Sequence, residues 1–165
     1  MTTNISKTLG RHFEFLEKKY GLQLVSVSSD KWDRKWLPRL AYAGKKTGVF
    51  VEYDVREEYL GVTIHHLDNG VFPQREGRIV TSEGYSLNGV IYLHDPKGLI
   101  GAWRDEGPTR SGEKLSFDDY VAGVAEKLRV HAADFLSGDF GRATEVEQAE
   151  GEIMAGRERS ESTRS

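Results

Sequence analysis

Residues 49–67, with the sequence V-F-V-E-Y-D-V-R-E-E-Y-L-G-V-T-I-H-H-L, decide the fold because they predict a β-hairpin. In the first half, valines and a tyrosine alternate with mostly acidic residues, which is the period of a half-buried strand. The second half repeats the alternation with Leu60, Val62 and Ile64 on one face. Bringing the two apolar faces together pairs Val51 with Val62 and requires a loop with an even number of residues. Since neither Asn-Gly nor Asp-Gly occurs there, we expect a four-residue loop.

Two amphipathic helices are predicted, one on each side of this hairpin. Residues 4–20 place apolar side chains at spacings of three and four, which forms one stripe along a helix. Residues 117–136 form a second stripe, and Ser116 followed by Asp119 matches an acidic form of the capping box. Helices that are separated from the strands in sequence are typical of an α+β fold. We therefore predict an antiparallel sheet of about four to six strands, covered by an N-terminal and a C-terminal helix.

Shorter segments complete the predicted sheet. Strands are expected at residues 22–27 and 39–43, and the polar, tryptophan-bearing stretch between them, 28–38, is predicted to be a loop. The stretch 71–112 is rich in glycine, and we expect mainly loops there.

Two short strands are nevertheless indicated within that glycine-rich stretch. They are expected at residues 78–81 and 89–93, before a long loop at 103–114. A turn is predicted at Asp68-Asn69-Gly70, directly after the hairpin.

The domain organisation follows from a change in composition near residue 140. Residues 1–140 contain all the predicted helices and strands and are expected to form a single α+β domain. Residues 141–165 are charged and poor in large apolar side chains. We predict that they form a loose, polar C-terminal tail, partly helical or disordered.

Composition and charge exclude several classes of function. The 165 residues include no cysteine, which excludes disulfides, zinc–thiolate sites and cysteine nucleophiles and fits a cytoplasmic protein. No apolar run is long enough for a transmembrane helix. The net charge of −3 comes entirely from residues 139–165, with seven acidic and four basic residues, so the remainder is formally neutral. We therefore expect no membrane and no nucleic-acid partner, and a protein as the binding partner.

Histidines near predicted strand ends raise the hypothesis of a metal site. His65 and His66 are followed by Asp68, and His94 is followed by Asp95. Imidazoles and carboxylates are common metal ligands. However, neighbouring residues of a strand point to opposite faces, so His65 and His66 cannot easily share one metal. One partly buried and one solvated ring is the simpler interpretation, and we assign no metal and no cofactor.

Paired carboxylates in the hairpin raise a second chemical hypothesis. Two functions are possible for the acidic residues Glu52, Asp54, Glu57 and Glu58, namely acid–base hydrolysis and Mg²⁺ binding. The simpler interpretation is that the solvent-exposed face of a sheet carries charged side chains without any catalytic role. His131 lies at the border of a helical stripe, where a structural role is the simpler interpretation. The sequence contains no nucleophile elbow, phosphate-binding loop or dinucleotide motif. We therefore assign no catalytic residue.

Tryptophans beside charged residues are the most informative candidates for binding. Trp32 and Trp36 lie among the charged residues of the sequence K-W-D-R-K-W at positions 31–36. Trp103 lies in the long predicted loop. Exposed aromatic rings beside cations are typical of protein-interaction hot spots. The other interpretation is that these rings fold back and cover the core. The predicted partner-binding residues are Trp32, Arg34, Trp36, Trp103, Arg104 and Asp105.

Three segments together resemble a known group of proteins. They are F-E-F-L-E-K-K-Y-G at residues 13–21, V-F-V-E-Y-D-V-R-E-E-Y-L at 49–60, and A-A-D-F-L-S-G-D-F at 132–140. The chain resembles small bacterial proteins, some of which look like immunity proteins of polymorphic toxin systems. The resemblance implies that the protein acts by occluding a toxin. These motifs are structural, so no functional residue carries over, and the neutral body departs from the acidic type that neutralises basic nucleases.

Three functions remain as hypotheses from the sequence. The first is a non-enzymatic protein-binding domain of the immunity-like kind. The second is a small hydrolase or metal-dependent enzyme that uses His65, His66, His94 and the hairpin carboxylates. The third is an assembly or phage-type accessory protein that docks a partner through its tail.

Overall fold

The computed structural model of the protein describes residues 2–32, 35–95, 109–110 and 113–162. Its strands are β1 Gln23–Trp32, β2 Lys35–Ala43, β3 Thr47–Asp54, β4 Tyr59–His66, β5 Gln74–Arg75, β6 Arg78–Ile79, β7 Tyr85–Ser86, β8 Thr109–Arg110 and β9 Glu113–Lys114. Five of them form an antiparallel sheet in the order β1-β2-β3-β4-β7. The pairs β5-β6 and β8-β9 form two small additional sheets.

Helices at both ends of the chain complete an α+β fold, as the sequence predicts. They are α1 Thr2–His12, α2 Phe15–Lys18, α3 Leu87–His94, α4 Phe117–His131, α5 Ala133–Leu136 and α6 Ala143–Ser162. A short 3₁₀ helix spans Thr81–Glu83. In the described parts of the chain, no helix combines the length and the apolar character needed to cross a membrane.

The β3-β4 hairpin has the predicted register. Val51 pairs with Val62, and the neighbouring pairs follow in step along the ladder. A four-residue loop, 55–58, joins the two strands, as expected from the even-numbered connection. Asp54 organises this loop, since its Oδ1 accepts hydrogen bonds from the backbone N–H groups of Arg56 and Glu57 at 3.0 and 3.1 Å.

One face of the sheet, here called the helix face, carries the main core. The strands contribute the buried side chains Leu40, Tyr42, Val49, Val51, Tyr53, Leu60, Val62 and Ile64. The helices, and the turn between α1 and α2 that contains Phe13, cover them. The covering side chains include Leu9, Phe13, Leu16, Val90, Val121, Ala125, Leu128 and Phe135. The predicted cap is present, because Ser116 Oγ accepts from the Asp119 N–H at 3.1 Å and so begins α4.

The predicted loop at residues 28–38 is wrong. β1 continues to Trp32 and β2 begins at Lys35, and the two strands remain paired up to Trp32 and Lys35. The physical reason is that a two-stranded ribbon satisfies its backbone groups through its own ladder, so its side chains can be polar on both faces. The polar composition of this stretch therefore gave no sign of the strands.

The predicted strand at residues 89–93 is also wrong, because this segment belongs to α3. Leu87, Val90 and Ile91 are buried at spacings of three and one, which is the pattern of a helix face. Ser86 begins the helix, since its side chain accepts a hydrogen bond from the Gly89 N–H at 3.0 Å. The strand predicted at residues 78–81 corresponds to β6, which spans Arg78–Ile79, whereas β5, β7 and α3 in the described part of this stretch were not expected.

Residues 143–162, within the segment expected as a tail, form α6, and its first half is packed against α3. Val146 and Ile153 are buried in the main core. Glu150 Oε1 accepts a hydrogen bond from the Ser86 backbone N–H at 2.7 Å. A Cβ at Gly89 would lie 2.7 Å from the Glu150 side chain, so the close approach of the two helices depends on this glycine. The helix agrees with the partly helical segment that the sequence predicts, whereas its packing on α3 was not expected.

Candidate functional site

The opposite side of the sheet, here called the open face, carries a groove with a volume of about 860 Å³. Its floor is formed by alternate residues of β2 and β3, namely Leu37, Arg39, Ala41, Phe50 and Glu52. One wall consists of residues 70–81, with the β5-β6 hairpin, and the other is the inner end of β1 at Val25, Ser26 and Ser28. The groove therefore runs across the sheet between an edge strand and a folded-over segment.

The wall at residues 70–81 is held down by a small apolar cluster beneath it. Phe72 is buried and packs with Phe50 and Leu67 of the open face. Its ring occupies the space above Gly48, where a Cβ would lie 2.5 Å from the ring. Gly48 therefore permits the wall to lie directly on the sheet, and the chain reaches this position through the predicted turn, closed by the Asp68–Val71 bridge.

An ion pair lies in the floor of the groove. The Arg39 Nε donates to Glu52 Oε2 at 2.6 Å, and the two residues are direct partners in the β2-β3 ladder. Both side chains are largely covered, which strengthens the attraction relative to a pair in open water. Further charges of both signs line the groove at Asp54, Glu76 and Arg78. Because neither sign dominates, the groove is not built to select a highly charged ligand.

Two valines leave apolar surface open at the sides of the groove. Val25 on β1 is 56% exposed and Val71 on the opposite wall is 65% exposed. Between them lie the apolar floor residues Leu37, Ala41 and Phe50, which are buried. Exposed apolar side chains next to an apolar floor with a polar rim are typical of protein-interaction surfaces.

His65 lies on the open face but beneath the wall, where it is inaccessible to a partner. It is almost fully buried, its ring contacts Phe72 with centroids 5.2 Å apart, and its Nε2 is 3.0 Å from Thr63 Oγ1. Its Nδ1 has no hydrogen-bond partner among the residues that the structure describes. Burial lowers the pKa of His65 to about 4, so the ring is neutral at pH 7.

The structure does not bring together the histidines of the metal hypothesis. His66 points away from His65 and stacks on Phe140, with ring centroids 4.3 Å apart. His94 ends α3 and lies beside His131, at 6.3 Å between centroids. Across residues 2–32, 35–95, 109–110 and 113–162, no group of three His, Asp or Glu side chains is placed to hold a metal ion.

The neighbourhood of His94 and His131 was missed by the sequence analysis. The reason is that residues 89–93 were predicted to form a strand, whereas they belong to α3, and the end of α3 lies next to the end of α4. Burial lowers the pKa of His131, and the adjacent His94 lowers it further.

The hairpin carboxylates are engaged in structural contacts. Glu52 pairs with Arg39 in the groove floor, and Asp54 organises the β3-β4 loop. Glu58 accepts a hydrogen bond from Lys114 Nζ at 3.1 Å. Glu52, Asp54 and Glu58 thus make contacts that the fold itself explains, and none of these contacts requires an acid–base role.

The predicted partner-binding tryptophans lie on an arm of the sheet. The β2-β3 ladder ends at Arg39 and Glu52, whereas the β1-β2 ladder continues to Trp32 and Lys35. The β1-β2 hairpin therefore extends beyond the rest of the sheet as a two-stranded arm formed by residues 29–32 and 35–38. Trp32 and Trp36 are strand residues of this arm, and so their predicted loop setting is wrong. Four further predicted residues lie outside the described residues: Arg34, Trp103, Arg104 and Asp105.

The arm adjoins the groove at Leu37. Leu37, at the base of the arm, is buried and also lines the groove. The sequence analysis missed the groove residues Val25, Val71 and Phe72. Phe50 could have indicated them. It lies on the face of β3 that was predicted to be exposed to solvent, and a large apolar side chain there is usually covered by another segment of the chain.

Comparison of the chain with family models, with curated proteins and with solved structures finds no match. Function is therefore inferred from the groove and the arm.

Proposed function

We propose that the protein is a non-enzymatic, protein-binding domain of the immunity-like kind, which occludes a protein toxin in the cytoplasm. The observation that carries the proposal is the groove on the open face, with exposed valines on both sides of a buried apolar floor. The resemblance of three segments to immunity-like proteins suggests the class of partner. The occluding surface comprises the groove and the adjoining arm.

The composition of the groove supports a protein rather than a small charged ligand. Its apolar residues would be removed from water on binding, which stabilises a complex by roughly 25 cal/mol per Å² of apolar surface. The charged residues at its edges have both signs and can form the polar rim of an interface. The Arg39–Glu52 pair holds one group of each charge at a defined position in the floor.

The arm supports the same proposal from its backbone geometry. The β1-β2 ladder continues beyond the last β2-β3 pair, Arg39 and Glu52, so the backbone of the arm is not paired with β3. Two tryptophans in such an arm are a combination typical of binding hot spots, where Trp is enriched.

The proposal is tested by measuring binding to the protein encoded by the adjacent gene. We expect isothermal titration calorimetry to detect a one-to-one complex with the wild-type chain. Val71→Lys places a charge in the groove, and Trp32→Ala shortens a side chain of the arm. Each change is expected to weaken binding by about tenfold or more, which corresponds to about 1.4 kcal/mol.

A matched control is available on the other side of the molecule. Val130 is 56% exposed on α4 and does not line the groove, so Val130→Lys introduces the same charge at a similar exposure. This variant is expected to bind like the wild type. Unchanged affinity in both Val71→Lys and Trp32→Ala, or the absence of any complex with the neighbouring product, would contradict the proposal.

A further inference from the structure

The outer edge of β1 is a second surface, which adjoins the groove at Val25, Ser26 and Ser28 but consists of backbone groups on the side away from β2. β1 is ten residues long and is the terminal strand of the five-stranded sheet. Among the described residues, no strand pairs with it on the side away from β2. An edge strand of this length presents a row of backbone N–H and C=O groups that can pair with another strand.

The opposite edge of the sheet is closed. β7 has only two residues and runs directly into α3. The Ser86 backbone N–H, which would otherwise be available there, donates to Glu150 of α6 at 2.7 Å. Within the part of the chain that the structure describes, the sheet therefore has one long edge, β1, without a paired strand on its outer side.

The sequence of β1 lacks most of the features that protect edge strands. From residue 23 to residue 29 it contains no charged residue and no proline, and a single bulge between Leu24 and Ser26 is the one irregularity. Apolar side chains remain in water along this stretch. Val27 is 57% exposed, and Leu24 and Val25 are exposed as well.

We propose that β1 pairs with β1 of a second copy of this chain, antiparallel about a twofold axis, to form one ten-stranded sheet. Residues 23–29 carry no charge, so they can pair with the same residues of a second copy without placing like charges opposite each other. Since each copy has one open edge, pairing stops at the dimer and does not continue into a fibre. The added strand would cover part of the exposed Val27 side chain with cross-strand neighbours.

The dimer is expected to be weak. A contact centred on one uncharged stretch of β1 is smaller than the ~800 Å² per partner that is typical of stable complexes. We therefore expect a dissociation constant of roughly 1–100 μM, which leaves the dimer in exchange with monomers.

Sedimentation velocity of the full chain, from about 5 to about 500 μM, tests the proposal. The expected result is a concentration-dependent change from the 18.6 kDa monomer to twice that mass. Val27→Lys places a charge in the middle of the edge and is expected to raise the dissociation constant at least about tenfold. Val130→Lys and the groove variant Val71→Lys are the matched controls, and both are expected to dimerise like the wild type.

A second measurement does not depend on a variant folding correctly. Amide hydrogen exchange of the wild type should show greater protection of residues 23–29 at high protein concentration than at low concentration. A chain that stays monomeric, a Val27→Lys dimer of unchanged strength, or protection that does not change with concentration would each overturn the proposal. Loss of the dimer in Val71→Lys alone would also overturn it, because the contact would then lie in the groove. These results bear on the edge only, so they are distinguishable from a failure of the groove to bind a toxin.

Discussion

The two faces of the central sheet differ in how they are covered. On the helix face, Val49, Val51 and Ile64 are fully buried beneath helices from both ends of the chain. On the open face, a short wall covers a few apolar residues, and Val25 and Val71 remain in water beside an ion pair. The helix face therefore supplies most of the stability of the fold. The open face can carry a binding surface with little loss of that stability.

The largest predicted effect tests the helix face. Phe135 is almost fully buried, and its ring meets the Phe140 ring edge to face at 5.3 Å. Phe135→Ala removes most of a buried aromatic side chain and leaves a cavity, which is expected to lower the free energy of unfolding by about 3–5 kcal/mol. Urea denaturation followed by circular dichroism measures this difference.

A matched change at the surface gives the reference for that measurement. Val130 is exposed on α4, so Val130→Ala is expected to change the free energy of unfolding by less than about 0.5 kcal/mol. A loss below about 1 kcal/mol for Phe135→Ala would mean that α5 isn't docked on the sheet. It would also remove the contrast between the two faces.

Local patterns in the sequence were sufficient for the parts of the fold that short-range rules determine. The β3-β4 register follows from the alternation around Val51 and Val62, and the start of α4 follows from Ser116. Both are properties of residues close in sequence, which a pattern captures without knowledge of the tertiary fold.

The missed features depend on contacts between residues far apart in sequence. α6 is held in place by the hydrogen bond between the Glu150 side chain and the backbone N–H of Ser86, 64 residues away. The groove wall is held by the packing of the Phe72 ring above Gly48. The composition of α6 resembles a solvated tail because only a narrow stripe of it is apolar, including Val146 and Ile153. The candidate groove could therefore not be predicted, since its floor and two walls come from three separate segments of the chain.

The next prediction concerns acid sensitivity and tests the open face. The pKa of His65 is about 4 in the folded protein because of burial, whereas the pKa of histidine in the unfolded chain is about 6.5. Between these values the unfolded chain binds a proton that the folded protein does not. The free energy of unfolding should therefore fall as the pH is lowered through this window, by about 1.4 kcal/mol per pH unit.

Urea denaturation at several pH values between 7 and 5 measures this slope above the range in which carboxylates titrate. His65→Leu is expected to be less stable at pH 7 but to lose most of the slope. His131→Gln is the control, because burial also lowers the pKa of His131 and its removal should reduce the slope by a smaller amount. An unchanged slope in His65→Leu would show that the wall over His65 opens readily to water.

The last prediction compares two buried tyrosines of the helix face, and the smaller of its two effects is the one at Tyr42. Tyr120 Oη accepts a hydrogen bond from the Leu60 N–H at 2.9 Å, whereas Tyr42 Oη is buried with no hydrogen-bond partner among the described residues. Tyr120→Phe leaves a buried N–H unsatisfied and is expected to lower the free energy of unfolding by about 1–3 kcal/mol. Tyr42→Phe removes a group that already lacks a partner, so the free energy of unfolding should stay the same or rise by up to about 1 kcal/mol.

The opposite signs of these two isosteric changes make the comparison sensitive, because both remove one hydroxyl from the same core. Burial raises the pKa of Tyr42 to about 12, in keeping with a hydroxyl that is shielded from water. Thermal denaturation of the two variants beside the wild type measures the difference. A loss of stability in Tyr42→Phe as large as that in Tyr120→Phe would show that Tyr42 Oη has a hydrogen-bond partner in solution. Water would then reach the core of the helix face at this position.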